Sequence, residues 1–299
     1  MITKDRLSTK KLLSNRVGKT PLVKITDKIW AKAEFLNPSG SLKDRMATQI
    51  INHAEENGLI SKGDTIIEAT SGNAGISFAW LAAERGYKIK IVMPCNMSVE
   101  RKQILKYYGA ELIEVEAGNF DAAISLRDKL SKENGWFNPN QFSNSLNIEA
   151  HFENTSVEIL EQISNKTLSA FVSGTGTGGT IMGCQKRFSI ESSDTKIVAV
   201  EPLESPVMSG GEPGLHGIQG IGDGSKFLVD LTLIDKIYTV STQDSKNKAL
   251  ELSKNQGLFV GISSGANIIA CEKFIEEFRP DGIVVTILCD RGDRYLSCF

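Results

Sequence analysis

Short runs of apolar, mostly β-branched residues alternate along the chain with longer segments in which apolar residues recur every three or four positions. The short runs predict buried strands at 65–69, 88–93, 111–115, 170–173, 196–200, 236–240 and 282–288. The longer segments predict helices at 42–55, 75–85, 99–108, 121–133, 148–163, 241–255 and 266–277. Because strands buried on both faces and joined by helices are typical of parallel sheets, the pattern predicts an α/β fold with mostly parallel sheets flanked by helices.

Length and charge narrow the classes of function. The 299 residues suffice for two domains of about 150 residues each, with room for a cleft between them. Lys and Arg number 34 against 36 Asp and Glu, so the formal net charge is -2. Without a basic excess there is little attraction for a phosphate backbone, and nucleic acid is not an expected partner. A small-molecule ligand is expected instead.

The cysteines and the apolar runs bear on the cellular compartment. Five cysteines occur singly, with no C-x-x-C pair, and are predicted to be reduced thiols in a cytoplasmic protein without a metal site. Residues 1–16 lack the apolar core of a secretory signal. The longest apolar run, 283–289, is far shorter than the roughly 20 residues that span a bilayer. Neither export nor membrane insertion is expected.

Two glycine-rich turns are candidate anion sites because each follows a predicted strand and leads into a helix. The first, 70–75, reads TSGNAG, and the second, 173–180, reads SGTGTGGT. Free N–H groups at a helix N-terminus bind carboxylates or phosphates, although capped structural turns look similar. The second turn also satisfies G-x-G-x-x-G with Glu201 22 residues further on, so dinucleotide binding is an alternative. It lacks the G-K-[ST] ending of a nucleotide triphosphatase.

Three further segments are less specific. Lys43 follows a Pro-Ser-Gly-Ser turn at the predicted start of a helix, where the helix dipole should lower its pKa and favour a nucleophilic amine. The alternative is a solvated lysine. The segment 261–266 predicts a helix cap by Ser263 or Ser264. The irregular, glycine-rich stretch 205–226 is predicted to be a functional loop that lines the cleft.

Together these segments resemble the cysteine synthase family of pyridoxal-phosphate enzymes, and most closely its B-type O-acetylserine sulfhydrylase branch. The matching segments are GKTPLV (18–23), PSGSLKDR (38–45), TSGN (70–73), QF (141–142), GTGGT (176–180), GIQGIG (217–222), SSG (263–265) and CDRGDRYL (289–296). The resemblance implies the two-domain fold type II, which is tryptophan synthase β-like. It also implies a smaller mobile domain at 34–145 with the substrate loop, and a larger domain of 1–33 plus 146–299 with the phosphate loop. It argues against dinucleotide binding.

The resemblance also implies roles for individual residues. Lys43 would carry pyridoxal 5'-phosphate and act as the general base. Asn73 would donate to the ring 3'-oxygen, and Ser264 would pair with the pyridine nitrogen as a neutral partner. The phosphate would be held by Gly176, Thr177, Gly178, Gly179 and Thr180. The substrate would be bound by Thr70, Ser71, Asn73, Gln141 and Gly220.

The implied function is β-replacement, which forms L-cysteine from O-acetylserine and sulfide in a homodimer. A second possibility is a cysteine lyase that releases hydrogen sulfide and gives serine or a thioether, and a third is a homologue retained as a binding partner. Asp223 stands where acetylserine-using relatives commonly have a small apolar residue. If this carboxylate faces the substrate it would repel O-phosphoserine and assist the lyase reaction; otherwise it caps a turn. Ala74 replaces a usual threonine and removes one hydroxyl from the substrate loop.

Overall fold

The computed structural model describes residues 12–299, which form two β-sheets covered by helices. In chain order the strands are β1 (Leu22–Lys24), β2 (Ile29–Lys32), β3 (Thr65–Ala69), β4 (Lys88–Pro94), β5 (Glu111–Val115), β6 (Leu168–Gly174), β7 (Lys196–Pro202), β8 (Lys236–Val240) and β9 (Ile283–Ile287). The larger sheet has six strands in the order β1-β2-β9-β6-β7-β8, and the smaller has three in the order β3-β4-β5. All neighbouring strands run parallel except β1 and β2. The predicted α/β class is therefore confirmed.

Helices connect the strands and cover both sheets. They are α1 (Lys43–Glu56), α2 (Asn73–Arg85), α3 (Val99–Tyr107), α4 (Phe120–Asn134), α5 (Leu146–Ala150), α6 (Ser156–Ile163), α7 (Gly179–Glu191), α8 (Thr242–Gln256) and α9 (Ile262–Phe278). A π-helical turn, His151–Thr155, separates α5 from α6 where the pattern predicted one continuous helix. A Cβ on Gly183 of α7 would lie 2.4 Å from the Ile148 carbonyl oxygen, so α7 packs directly against this interrupted helix.

The starts of α8 and α9 differ in how they are capped. Ser241 caps α8, because its side chain accepts the backbone N–H of Asp244. The predicted cap of α9 was wrong: this helix begins at Ile262, after Gly261, and no side chain caps it. Ser263 and Ser264 therefore lie inside the first turn of α9, where they point in different directions.

The apolar core is layered around the two sheets. One face of the six-stranded sheet packs Val172 and Val198 against Ala266 and Phe274 of α9. Its other face packs Phe171 against Phe188 of α7, with their rings 5.5 Å apart. The three-stranded sheet is covered by α1 and α2 on one face and by α4 on the other. Parallel strands in such layers end at one edge, where the loops that follow them can form a site.

The division into two domains stays a prediction. Each of the two sheets lies entirely within the range predicted for one domain. The strands of the smaller sheet fall between 65 and 115, inside the range 34–145. The strands of the larger sheet fall at 22–32 and 168–287, outside that range. Within residues 12–299 no helix is both long and apolar enough to cross a membrane.

Candidate active site

One cavity lies where the loops after β3 and β6 meet the N-terminus of α1. Its wall contains twelve of the thirteen residues that the sequence singled out as catalytic, cofactor-binding or substrate-binding. These twelve are Lys43, Thr70, Ser71, Asn73, Gln141, Gly176, Thr177, Gly178, Gly179, Thr180, Gly220 and Asp223. Leu42, Ser263 and Cys289 also line it. The predicted role of 205–226 as a lining loop is confirmed, since this stretch contributes Gly220, Ile221 and Asp223.

Lys43 is the first residue of α1 and lines the cavity. The surrounding protein lowers the pKa of Lys43 because burial disfavours the charged amine, while Asp223 and Cys289 act in the opposite direction. The direction agrees with the sequence prediction, and burial is its largest cause. An amine with a lowered pKa is suited to nucleophilic and general-base chemistry.

The glycines at 176–179 form a cradle in which side chains do not fit. A Cβ on Gly176 would lie 2.7 Å from the Gly220 carbonyl oxygen, and one on Gly179 would lie 1.9 Å from Oδ1 of Asn147. Gly178 has φ +90°, which favours glycine. No side chain caps α7, which begins at Gly179, so the N–H groups of its first turn are available to an anion. These features fit the phosphate of pyridoxal 5'-phosphate.

Two side chains from the interrupted helix support the cradle. Nδ2 of Asn147 donates to the Thr177 hydroxyl at 2.9 Å and to the Gln141 carbonyl at 2.9 Å. Nε2 of His151 lies 3.2 Å from the Thr180 hydroxyl. Burial lowers the pKa of His151 to about 3, so its ring is neutral at physiological pH. Neither Asn147 nor His151 was identified from the sequence, because neither belongs to a motif.

The predicted substrate loop, 70–73, forms part of the cavity wall and is fixed by contacts behind it. The Gly72 N–H donates to the Thr70 hydroxyl at 3.0 Å, and Gly72 itself has φ +143°. A Cβ at Gly72 would lie 2.4 Å from the Arg101 side chain. Nε2 of Gln141 donates to the Ala69 carbonyl at 2.9 Å, which brings Gln141 beside the loop. This arrangement offers hydroxyls and amides to a carboxylate.

Asp223 lies on the cavity wall rather than pointing away from it. Its Oδ2 would be 3.3 Å from a Cβ placed on Gly176, the first residue of the cradle. Burial raises the pKa of Asp223, and the nearby charges of His216, Lys43 and Arg101 oppose that rise. A carboxylate with a raised pKa beside a cavity can exchange protons with a ligand.

The structure corrects the predicted position of the serine at the cavity. Ser264 is fully buried, does not line the cavity, and its Oγ accepts the Cys289 backbone N–H at 2.9 Å. Ser263 lines the cavity instead. Neighbouring residues of a helix point about 100° apart, so only one of the two serines can face the cavity. The SSG motif alone does not say which one.

The dinucleotide alternative has no support in the geometry. Glu201 is buried, and its carboxylate accepts the backbone N–H groups of Met208 at 2.7 Å and Ser209 at 2.9 Å. It therefore holds the start of the loop 205–226 and is not part of the cavity wall.

Comparisons with known proteins identify the family. Residues 13–290 match the family described as pyridoxal-phosphate dependent enzyme. The chain is 43% identical over 293 residues to a cysteine synthase of Staphylococcus aureus (strain Mu50), an alignment that covers 94% of each chain. A cysteine synthase structure from Entamoeba histolytica is 37% identical, with a TM-score of 0.88 over 99% of this chain and 92% of that one. A hydrogen sulfide-producing enzyme from Fusobacterium nucleatum is 39% identical, with a TM-score of 0.91 over 96% and 99% of the two chains.

The chain belongs to the pyridoxal-phosphate-dependent enzyme family. Within that family it is a cysteine synthase-like enzyme of fold type II, which confirms the family, the fold class and the cofactor expected from the sequence.

Proposed function

We propose that this enzyme forms L-cysteine and acetate from O-acetyl-L-serine and sulfide. The observation that carries the proposal is that Lys43, the predicted substrate loop 70–73 and the glycine-rich segment 176–180 all line one cavity. Similarity to cysteine synthases over almost the whole chain supports it.

The cofactor, when bound, withdraws electron density from the substrate's α-carbon and so promotes loss of the α-proton and of the β-substituent. The cradle and the first turn of α7 would bind its phosphate. Asn73 would donate to the ring oxygen. Ser263, which lines the cavity, would take the ring-nitrogen role that the sequence assigned to Ser264.

The chain's own residues would bind the amino acid and move its proton. Thr70, Ser71, Gln141 and the backbone N–H of Asn73 would hold the substrate carboxylate, and Gly220 would contact the substrate's side chain. The Lys43 amine, in its unprotonated form, would remove the α-proton while the Cβ–O bond breaks and acetate leaves with the electron pair. Hydrosulfide then forms the Cβ–S bond, and Lys43 returns a proton to the α-carbon. The atoms of O-acetylserine and hydrosulfide are all accounted for in cysteine and acetate.

We also propose the finer features implied by the resemblance. The range 34–145 would move as the smaller domain and close the cavity, which excludes water. The enzyme would act as a homodimer in the cytoplasm, where its cysteines stay reduced; all five are unpaired in the structure.

A second candidate is a cysteine lyase, and the position of Asp223 favours it. In this reaction the Cβ–S bond of cysteine breaks, hydrogen sulfide leaves, and water adds at the β-carbon to give serine. Asp223 would take a proton from the attacking water. The similarity to a hydrogen sulfide-producing enzyme supports this candidate as well.

Product analysis separates the two candidates. The holoenzyme would be incubated with O-acetylserine plus sulfide, and separately with cysteine alone, and cysteine, serine and sulfide would be measured. Cysteine formation as the faster reaction supports the synthase. Faster sulfide release that falls sharply in Asp223→Asn supports the lyase. If neither reaction proceeds, or both survive Lys43→Ala, the proposed function is wrong.

A further inference from the structure

The side-chain amide of Asn73 is held at both ends by residues from the C-terminal segment of the chain. Its Nδ2 donates to Oδ2 of Asp290 at 2.6 Å, and its Oδ1 accepts from Nη1 of Arg294 at 2.7 Å. All three residues are buried. An amide group has two N–H donors, so these contacts leave the second N–H of Asn73, a residue that lines the cavity, without a partner among the described residues.

Asp290 is itself fixed. The Tyr295 hydroxyl donates to Oδ2 of Asp290 at 2.5 Å, and the Arg101 guanidinium lies 3.6 Å from the same oxygen. The Gly261 N–H donates to the Asp290 carbonyl at 3.0 Å. A Cβ on Gly261 would lie 2.0 Å from Oδ1 of Asp290, so this position has room only for glycine. The carboxylate cannot easily turn away from Asn73.

These contacts join the two sides of the cavity. Asn73 and Arg101 belong to α2 and α3, which pack with the smaller sheet. Asp290 and Tyr295 follow β9 at the centre of the larger sheet. Arg101 also donates to Oε1 of Gln219 at 2.6 Å, next to the loop residue Gly220.

We propose that Asp290 is a positioning residue that orients the Asn73 amide, so that its free N–H is directed at the bound cofactor. A negatively charged acceptor bonds an N–H more strongly than a neutral one, and it would repel the amide oxygen if the group were flipped. Arg294 favours the same orientation from the other end, since it can only donate. The inference rests on the proposed function only in assigning Asn73 to the cofactor.

The test compares Asp290→Ala in the parent enzyme and in an Asn73→Ala background. Two quantities are measured: the affinity of the apoenzyme for pyridoxal 5'-phosphate, and the visible absorbance of the bound cofactor, which responds to hydrogen bonding at its ring oxygen. In the parent background we expect about tenfold weaker cofactor binding, as for loss of a charge-assisted hydrogen bond, and a changed absorbance spectrum. In the Asn73→Ala background the same substitution should change neither.

A matched control removes a neighbouring carboxylate. Asp293→Ala takes the same charge from the same segment, but Asp293 pairs with Arg291 at the surface and should leave both readouts unchanged. If Asp290→Ala does not fold, the isosteric Asp290→Asn replaces it and must show the same dependence on Asn73, with a smaller effect.

Equal effects of the Asp290 substitution in the two backgrounds would overturn the inference, because Asp290 would then act without Asn73. Unchanged affinity and spectrum in the parent background would do the same. Cysteine formation is measured separately. An enzyme that makes no cysteine but keeps the Asn73-dependent spectral change would disprove the proposed function and leave the positioning role standing.

Discussion

Arg127 and Glu68 form a buried ion pair directly behind the substrate side of the cavity. Nη1 of Arg127 donates to the Glu68 carboxylate at 2.8 Å, and both side chains are at most 1% exposed. The other oxygen of Glu68 accepts the backbone N–H of Gln141 at 3.0 Å. Burial raises the pKa of Glu68, and the Arg127 charge opposes that rise. The position of Gln141 therefore depends on a charge pair that does not line the cavity.

Replacing Arg127 should destabilise the protein and weaken substrate binding together. Arg127→Leu leaves the Glu68 carboxylate buried without a counter-charge, which typically costs about 3–5 kcal/mol. Urea unfolding would measure this loss, and the KM for the amino-acid substrate should rise. Lys129→Leu is the control, because Lys129 lies on the same helix but is exposed. A stability change as small in Arg127→Leu as in the control would contradict the account.

Substitutions in the cradle should act on cofactor affinity. In Gly179→Asp the new side chain would meet Asn147, and its charge would repel a phosphate. We expect the purified variant to lose the cofactor, measured by absorbance after dialysis. Gly58→Asp serves as the control, since it adds the same charge at a glycine that has open space around it and does not line the cavity. Full cofactor retention by Gly179→Asp would remove this loop from the phosphate site.

His151 should make stability depend on pH. Its pKa falls from an unfolded value of about 6.5 to about 3 in the folded protein. At pH values between these two pKa values, His151 binds a proton in the unfolded chain but not in the folded protein. The neutral, buried His151 therefore contributes fully to the stability of the folded protein above pH 6.5, and this stability is lost as pH falls towards 3. The slope approaches about 1.4 kcal/mol per pH unit for one proton. Urea unfolding at several pH values between 7 and 5 should show a shallower decline in His151→Gln than in the parent. Parallel curves would contradict this role.

Substitution of the two serines of α9 should affect different properties of the enzyme: catalysis for Ser263 and stability for Ser264. Ser263→Ala should alter the cofactor spectrum and the turnover rate with little change in stability, because Ser263 lines the cavity. Ser264→Ala removes the acceptor of the Cys289 N–H and should cost about 1–3 kcal/mol of stability with the spectrum retained. Each variant is the control for the other. The reverse result would restore the role that the sequence assigned to Ser264.

Asp223 should determine the enzyme's selectivity between two substrates, O-acetylserine and O-phosphoserine. A phosphate dianion beside this carboxylate would be repelled in the cavity, so O-phosphoserine should be a poor substrate compared with O-acetylserine. Asp223→Asn should shift the ratio of the two kcat/KM values towards O-phosphoserine by tenfold or more, as like-charge repulsion is removed. Asp230→Asn removes an exposed carboxylate that follows this loop and does not line the cavity, and it should leave the ratio unchanged. Good use of O-phosphoserine by the parent would contradict the role of Asp223.

Hydrophobic periodicity was sufficient to predict most of the secondary structure. The seven predicted strands are all present, because each contains a short run of apolar, mostly β-branched residues. The strands β1 and β2 were missed, since they are only three and four residues long and contain Lys24 and Lys32. The bounds of α7 were missed as well, because it begins in a glycine-rich turn that carries no periodic signal.

Local motifs located the candidate residues, because strand ends and helix starts place their loops at one edge of parallel sheets. The direction of each side chain was beyond the sequence, as the exchange of Ser263 for Ser264 shows. The sequence also did not predict which residues hold the side chains of the site in place. Asn73 and Asp290 are 217 positions apart, and only the packing of the two sheets brings them to 2.6 Å. A local sequence pattern indicates the secondary structure of neighbouring residues in the chain, whereas a contact between distant residues depends on how separate elements pack.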